Sequence, residues 1–248
     1  MTIKKEEVVS LGIVLKTHPY KESDSLVTVY FKDYGKMTLI ARGVKKLKSK
    51  NASACQSLTL SEFTFIPRNG LSTMIKASSV DFYRYIKENL ELEAYASYFM
   101  EFVLKNEEDN QPDLEIFDTL KKSLDALNNG YPYPLVYLLY NAFILKRCGM
   151  ALQVDGCVRC LRQDHIAGIS LEDGGFVCHD CLSLHDKQLD KVTLKAFRLN
   201  KLSIDSIDQL KVPDESIDLL MEIMDYYVDE MTGILFKTKK MIQSLSKI

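Results

Sequence analysis

The sequence predicts an α+β multidomain protein: a five-stranded barrel, then an α-helical domain that carries a cysteine-rich module. Three observations lead there. The first 80 residues alternate at the period of β-strands, and from about residue 84 the apolar residues repeat at the period of helices. Four cysteines in two CxxC pairs then interrupt the helical part. A chain of 248 residues can form one large domain or two to three small ones. The expected boundaries are 1–80 for the barrel and 81–248 for the helical domain, with the cysteine module at about 150–186.

The strand runs are Val8–Thr17, Leu26–Phe31, Lys36–Ala41, Leu58–Ile66 and Leu71–Val80. Val27, Val29 and Phe31 alternate with Leu26, Thr28 and Tyr30, as a half-buried strand requires. Asp33-Tyr34-Gly35 is a turn signal, and Asn69-Gly70 is the favoured two-residue hairpin pair. Five short strands in so few residues fit a small barrel such as the OB-fold, whose Greek-key closure hides most strand edges. An SH3-like barrel has a similar strand count, and the pattern alone does not separate the two.

Ile86, Leu90, Tyr95, Phe99, Phe102 and Val103 have approximately helical spacing. Leu114, Phe117, Leu120, Leu124 and Leu127 continue it on a second helix. Asn129-Gly130, Pro132 and Pro134 break the chain before a strongly apolar helix expected over Leu135–Cys148, with Gly149 as its stop. That helix is apolar almost all round, which places it in the middle of the helical part. Thr193–Leu202 reads as a short helix. Another starts near Asp214 as N-cap and carries Ile217, Leu220, Met224, Tyr227 and Met231 on one face.

The cysteines follow C-x2-C-x17-C-x2-C at Cys157, Cys160, Cys178 and Cys181. A CxxC turn lets two thiolates converge on one ion. Two such turns on a hairpin supply the tetrahedral sulfur shell that Zn²⁺ accepts. Ile166–Leu171 and Phe176–Cys178 supply the hairpin around Glu172-Asp173-Gly174-Gly175, so the segment reads as a C4 zinc ribbon holding one structural Zn²⁺. Redox CxxC pairs or plain buried thiols are the alternative. So short a segment cannot fold on its own apolar core, which favours the metal. A closed sulfur shell leaves no position for water or substrate, against zinc catalysis. His179 is a conceivable substitute ligand, whereas His165 and His185 read as ordinary polar residues, and Cys55 and Cys148 as packing residues.

The net charge of −2 is unevenly distributed. Residues 1–80 carry 13 Lys+Arg against 6 Asp+Glu, while residues 81–149 are net −5 and residues 150–186 net −4. A basic segment on an acidic remainder points to a polyanion partner for the N-terminal part only. Arg42, Lys45, Lys46, Lys48 and Lys50 fall in a loop directly after a strand, where long cationic side chains can follow a phosphate backbone. Lys16, Lys21, Lys32 and Lys36 add charge, and Tyr20, Tyr30 and Tyr34 offer faces for bases. The charge excess and the surrounding barrel favour nucleic acid over a merely solvated lysine loop. The candidate nucleic-acid contacts are Lys16, Tyr20, Lys36, Arg42, Lys45, Lys46, Lys48 and Lys50. The zinc ribbon, net −4 with only Arg159 and Arg162 basic, is expected to be structural rather than a DNA reader.

Several classes are disfavoured. The N-terminus has no apolar leader with a cleavage site, and the longest apolar run, around Leu135 to Leu145, contains Asn141 and is too short to span a bilayer. A cytoplasmic, non-membrane protein is expected. There is no GxxxxGK[ST] phosphate loop, hence no motor or ATPase, and no defensible catalytic triad.

The stretch GIVLKTHPYKESDSLVTVYFKDYGKMTLIARGVKKLKSK resembles the N-terminal barrel of the bacterial RecO family of DNA repair and recombination mediators. The features it shares are Lys16-Thr17, the Tyr-x-Glu-x-Asp turn at Tyr20 to Asp24, Gly35-Lys36, Ala41-Arg42-Gly43 and the later strand LTLSEFTF. A helical domain interrupted by a C4 zinc module matches as well. The resemblance implies an N-terminal OB-fold and a non-enzymatic, nucleoid-associated activity. That activity is binding single- and double-stranded DNA, annealing complementary strands and, with RecR, helping RecA replace single-strand-binding protein. It also implies docking of the acidic-hydrophobic tail of single-strand-binding protein on the helical domain, for which Lys195, Arg198 and Lys201 are candidates. The rivals are an RNA- or ribosome-associated barrel with a zinc ribbon, and a metal-dependent nuclease.

Overall fold

The computed structural model describes residues 6–68 and 70–245. Five strands, β1 (Val8–Tyr20), β2 (Asp24–Phe31), β3 (Gly35–Ala41), β4 (Leu60–Ile66) and β5 (Ser72–Asp81), close into a barrel in the order β1-β2-β3-β5-β4. The expected alternation holds: Val27, Val29 and Phe31 point inward and are fully buried, while Leu26 and Thr28 are half-exposed on the outside. Inside, Phe31 stacks on Phe65 with ring centroids 4.6 Å apart and meets Phe63 edge-on. Gly12 makes this possible, since a Cβ there would lie 2.4 Å from Val29. The closure is a short parallel pairing of β3 with β5, Leu39 opposite Ser72 and Ile40 opposite Thr73. That crossed order is the OB arrangement and decides against the SH3-like alternative. Asn69, half of the expected hairpin pair, lies outside the described residues.

The helices are α1 (Arg84–Lys87), α2 (Leu90–Asn106), α3 (Leu114–Asn128), α4 (Tyr133–Arg147), α5 (Lys191–Ala196), α6 (Asp214–Thr232) and α7 (Thr238–Leu245). The spacing from Ile86 to Val103 suggested one helix, but Asn89 divides it. Its side chain accepts from the amides of Glu91 and Leu92 and starts α2 afresh, leaving Leu90 exposed. Asp113 caps α3 in the same way. In α4 the run Val136–Ala142 is buried throughout, as its all-round apolar pattern requires. The helix expected at Thr193 begins two residues earlier because Asp190 caps the amides of Val192 and Thr193, and it tightens into a 3-10 turn at Phe197–Lys201. Asp214 is not the cap of α6. Pro213 occupies that position without a side-chain bond, and Asp214 sits in the first turn.

The chain divides into two compact units, one running to Asn129 and resuming at Phe236, the other Gly130–Leu235. α7, which the periodicity did not reveal, belongs to the first unit and packs on α2. The buried carboxylate of Glu101 accepts from the amides of Lys237 and Thr238, both at 2.9 Å, and from the Thr238 hydroxyl at 2.7 Å. Phe236 lies 4.6 Å from the Tyr98 ring. The second unit contains a small sheet of β6 (Ile166–Ser170), β7 (Gly175–Cys178) and β8 (Lys187–Gln188), in the order β7-β6-β8. Among the described residues no helix is long and apolar enough to cross a membrane.

Candidate metal centre and nucleic-acid interface

The β6–β7 hairpin and the loop before it bring the two CxxC turns together. In the first turn the Leu161 amide donates to the Cys157 carbonyl and the Cys157 amide to the Arg162 carbonyl. Gly156 precedes it because a Cβ would meet the Arg162 oxygen at 2.8 Å. The second turn leaves β7 as a 3-10 turn at His179–Cys181. One sulfur from each of Cys157, Cys160, Cys178 and Cys181 lies within 4.8 Å of every other. Cys160 Sγ is 3.6 Å from Cys178 Sγ. A tetrahedral ion with metal–sulfur bonds of about 2.3 Å needs sulfurs roughly 3.8 Å apart, so the set fits a four-coordinate metal.

Burial opposes ionisation of Cys157, yet the amides of Cys178, Cys160 and Arg159 donate to its sulfur and bring the thiol down to about 6. Hydrogen bonds with the neighbouring thiols of Cys178 and Cys160 instead push Cys181 up to about 12. Four thiolates can coexist there only around a cation. The His179 side chain is outward and well exposed, and lies outside the ligand group.

Neither arginine of the module is free to meet a phosphate. The Arg159 guanidinium donates to Asp186 at 2.6 and 2.9 Å, to Asp173 at 2.8 Å and to the Cys181 carbonyl at 2.5 Å. Arg162 pairs with Asp180 and Asp164. The carboxylates that hold Arg159, Asp173 and Asp186, lie 14 and 27 residues away and only the fold brings them to it.

The basic loop after β3 is a different kind of surface. Arg42, Lys45, Lys46, Lys48 and Lys50 are all exposed, and none makes an ion pair among the described residues. The loop backbone is held in place. The Gly43 amide donates to Asp24 Oδ1 at 2.8 Å, the Lys45 amide to the Ser23 carbonyl at 3.0 Å, and Val44 is buried in the barrel core. These bonds set the loop beside the β1–β2 turn, where the Lys21 ammonium lies 5.3 Å from the centre of the Tyr20 ring. Lys16 and Tyr20 share the outward face of β1 at the strand period of two. Lys16 pairs in register with Thr28, whose hydroxyl is hydrogen-bonded to Thr38 on β3.

Two expected contacts are placed elsewhere. The Lys36 ammonium turns to the C-terminal end of α2, where it donates to the carbonyls of Leu104 and Glu107, and it pairs with Asp109 at 3.4 Å. Tyr30 is fully buried with its hydroxyl toward the Asp113 carbonyl, so it offers no face to a base. Tyr34 is half-buried against Phe65. Cys55 is a buried packing residue whose thiol burial pushes up to about 12.

Two family models match the chain, Recombination protein O N terminal over residues 5–83 and Recombination protein O C terminal over residues 87–240. The DNA repair protein RecO of Bacillus pumilus is 30% identical over 252 residues, covering all of this chain and 96% of that protein. The corresponding protein of Listeria monocytogenes (strain HCC23) is 29% identical over 239 residues, 95% of this chain and 94% of its own length. That of Bacillus subtilis (strain 168) is 28% identical over 243 residues, 96% and 94%.

Proposed function

The chain belongs to the RecO family of DNA repair proteins, and from that premise we propose that it is a non-enzymatic recombination mediator working on DNA in the bacterial cytoplasm, at the nucleoid. In this reading the barrel (1–80) binds single- and double-stranded DNA and anneals complementary strands. The helical domain (81–248), with its module at about 150–186, recruits RecR and single-strand-binding protein, so that RecA is loaded onto the exposed strand. The observation that carries the reading is the anchored loop Arg42–Lys50, whose five cations are exposed and unpaired among the described residues. Lys16 and Tyr20 extend the same set along β1, whereas Lys36 is engaged internally and is left out of it. Phosphates of two strands neutralised in turn on such a surface lose the repulsion that slows pairing. Nothing in this role requires bond-making chemistry.

One Zn²⁺ held by Cys157, Cys160, Cys178 and Cys181 fixes the small ribbon. The ion supplies a cross-link, and the amides of Cys178, Cys160 and Arg159 orient and stabilise the Cys157 thiolate. The tail of single-strand-binding protein finds a suitable surface in the second unit. A groove of about 700 Å³ is lined by Val192, Leu199, Leu202 and Leu210 and flanked by Lys191, Lys195, Arg198 and Lys211. Apolar floor and cationic rim match an acidic-hydrophobic peptide. Lys201 is ion-paired with Asp155 and does not line the groove.

The test is binding of single-stranded DNA, duplex DNA and RNA at matched salt, with strand annealing followed in parallel. The reading expects steep salt dependence and accelerated annealing. A strong preference for RNA would favour a ribosome-associated role, and Mg²⁺-dependent cutting of DNA would favour a nuclease. Pull-down with RecR and with the tail peptide, repeated with K195E/R198E, tests the partner assignments.

A further inference from the structure

Between Asp33 and Glu62 the chain has no carboxylate. In the middle of that window Leu47 occupies a corner of the turn closed by the Ser49 amide on the Lys46 carbonyl. It is the most exposed large apolar side chain among the described residues. A single exposed leucine is ordinary on a protein surface, but three features distinguish this one.

The backbone presenting it is fixed. Three successive turns, Lys46 to Gly43, Ser49 to Lys46 and Ala52 to Ser49, follow one another between the buried anchors Val44 and Ala54. Little conformational entropy is then lost when Leu47 meets a ligand. Its neighbours Lys45, Lys46 and Lys48 are exposed and cationic, so whatever Leu47 touches must also be polyanionic. Finally, the outward face of β2 and β3 carries Leu26, Thr28, Thr38 and Ile40, and the one aromatic there, Tyr30, is buried. A barrel that binds single strands ordinarily stacks bases on aromatic side chains of such a face. Apolar contact beyond the single ring of Tyr20 on β1 has to come from another element.

We infer that Leu47 is an apolar wedge that lies against the bases of a single strand while the flanking lysines take the phosphates on either side. This rests on the reading of the Arg42–Lys50 loop as the DNA contact. A wedge at a base step partly unstacks it and leaves the base edges turned outward for an incoming complementary strand. An anionic membrane surface would attract the same cations. It requires a broad apolar face, however, and Val44, the other large apolar side chain of the loop, is buried.

L47A is expected to weaken binding of a single-stranded oligothymidylate about three- to tenfold at every salt concentration, with the salt slope unchanged. The chain has no tryptophan, so L47W introduces a unique fluorophore. Its emission should be quenched by the oligonucleotide, while that of L184W, equally exposed in the cysteine module, should not. Unchanged affinity in L47A, no quenching in L47W, or equal quenching in L184W would overturn the inference. So would a response of L47W to phosphatidylglycerol vesicles and none to the oligonucleotide. The variant R42A/K45A/K46A/K48A separates the two readings. If it flattens the salt slope while L47A binds normally, the wedge fails and the phosphate contacts stand. If neither variant alters DNA binding, the loop is not the DNA site and both readings fall.

Discussion

The Lys36 ammonium donates to the Leu104 carbonyl at 3.0 Å, joining β3 to the C-terminal end of α2. A cation on the last carbonyls of a helix satisfies acceptors with no intrahelical partner and opposes the negative end of the helix dipole. Lys36 is therefore a strut within the first unit. K36A should lower stability by about 1–3 kcal/mol, the usual loss when charge-assisted hydrogen bonds are removed. The salt dependence of DNA binding should not change. A thermal melt together with a salt titration checks both halves. A flattened salt slope in K36A would return Lys36 to the DNA surface.

The loop cations should behave in the opposite way. R42A/K45A/K46A/K48A removes up to four phosphate contacts, and each contributes roughly 0.7–0.9 log units of affinity per log unit of salt. The slope should fall by up to about 2.8–3.6, with the melting midpoint nearly unchanged because the four side chains are exposed and unpaired among the described residues. An unaltered slope removes the loop from the binding site.

Replacing Cys157 and Cys160 with Ser should release one zinc per chain and lower the melting midpoint. Structural zinc contributes on the order of 10 kcal/mol of apparent folding energy in small modules. DNA affinity should change far less, since Arg159 and Arg162 are already engaged. Metal content by atomic emission and a binding isotherm on the same preparation give the answer. A collapse of affinity with the barrel still folded would make the module a DNA contact.

Arg159 makes a separate prediction. Its guanidinium reaches Asp173, Asp186 and the Cys181 carbonyl at once, and it holds the Asp186 carboxyl far below the usual carboxylate range. R159A should lose zinc to a chelator faster than the parent protein. R159K should not rescue, because a single ammonium cannot reproduce the fork. Equal rates in all three proteins would refute the clamp.

Glu101 gives α7 an acid limit. Burial alone would raise its carboxyl, but Lys105, the amides of Lys237 and Thr238 and the Thr238 hydroxyl hold it down to about 2. Since the folded value is depressed, its contribution is complete above the unfolded value of about 4.3 and is lost as pH falls through about 2. Protection of the α7 amides, taken relative to the intrinsic exchange rate at each pH, should fall over that window in the parent chain. E101Q should show the lower protection already at neutral pH and lack the acid step.

The sequence revealed what depends on local period and spacing. The five strands, the two long helices after them and the cysteine hairpin lie within a few residues of their expected places, because alternation and CxxC spacing are local properties. Other features depend on distant partners. Asn89 could be read as a helix cap only against the competing pattern of Ile86 and Leu90, which suggested continuity. Lys36 looked like any other lysine of a basic segment, since its acceptors lie 68 and 71 residues away. Tyr30 looked outward by alternation, and it is outward, but the segment at Asp113 covers it. α7 is short, and what stabilises it is a carboxylate more than a hundred residues earlier.

The return of α7 to α2 has a consequence for the order of synthesis. A ribosome releases β1 to α3 first, then all of Gly130–Leu235, and only afterwards the helix that covers α2. At about 5–20 residues per second that interval is on the order of 10 s. Throughout it the Tyr98 ring and the Glu101 carboxylate of the nascent chain have neither Phe236 nor Thr238 against them. The first unit is thus completed last, and a product broken off after α6 would leave that apolar seam open to chaperones and proteases.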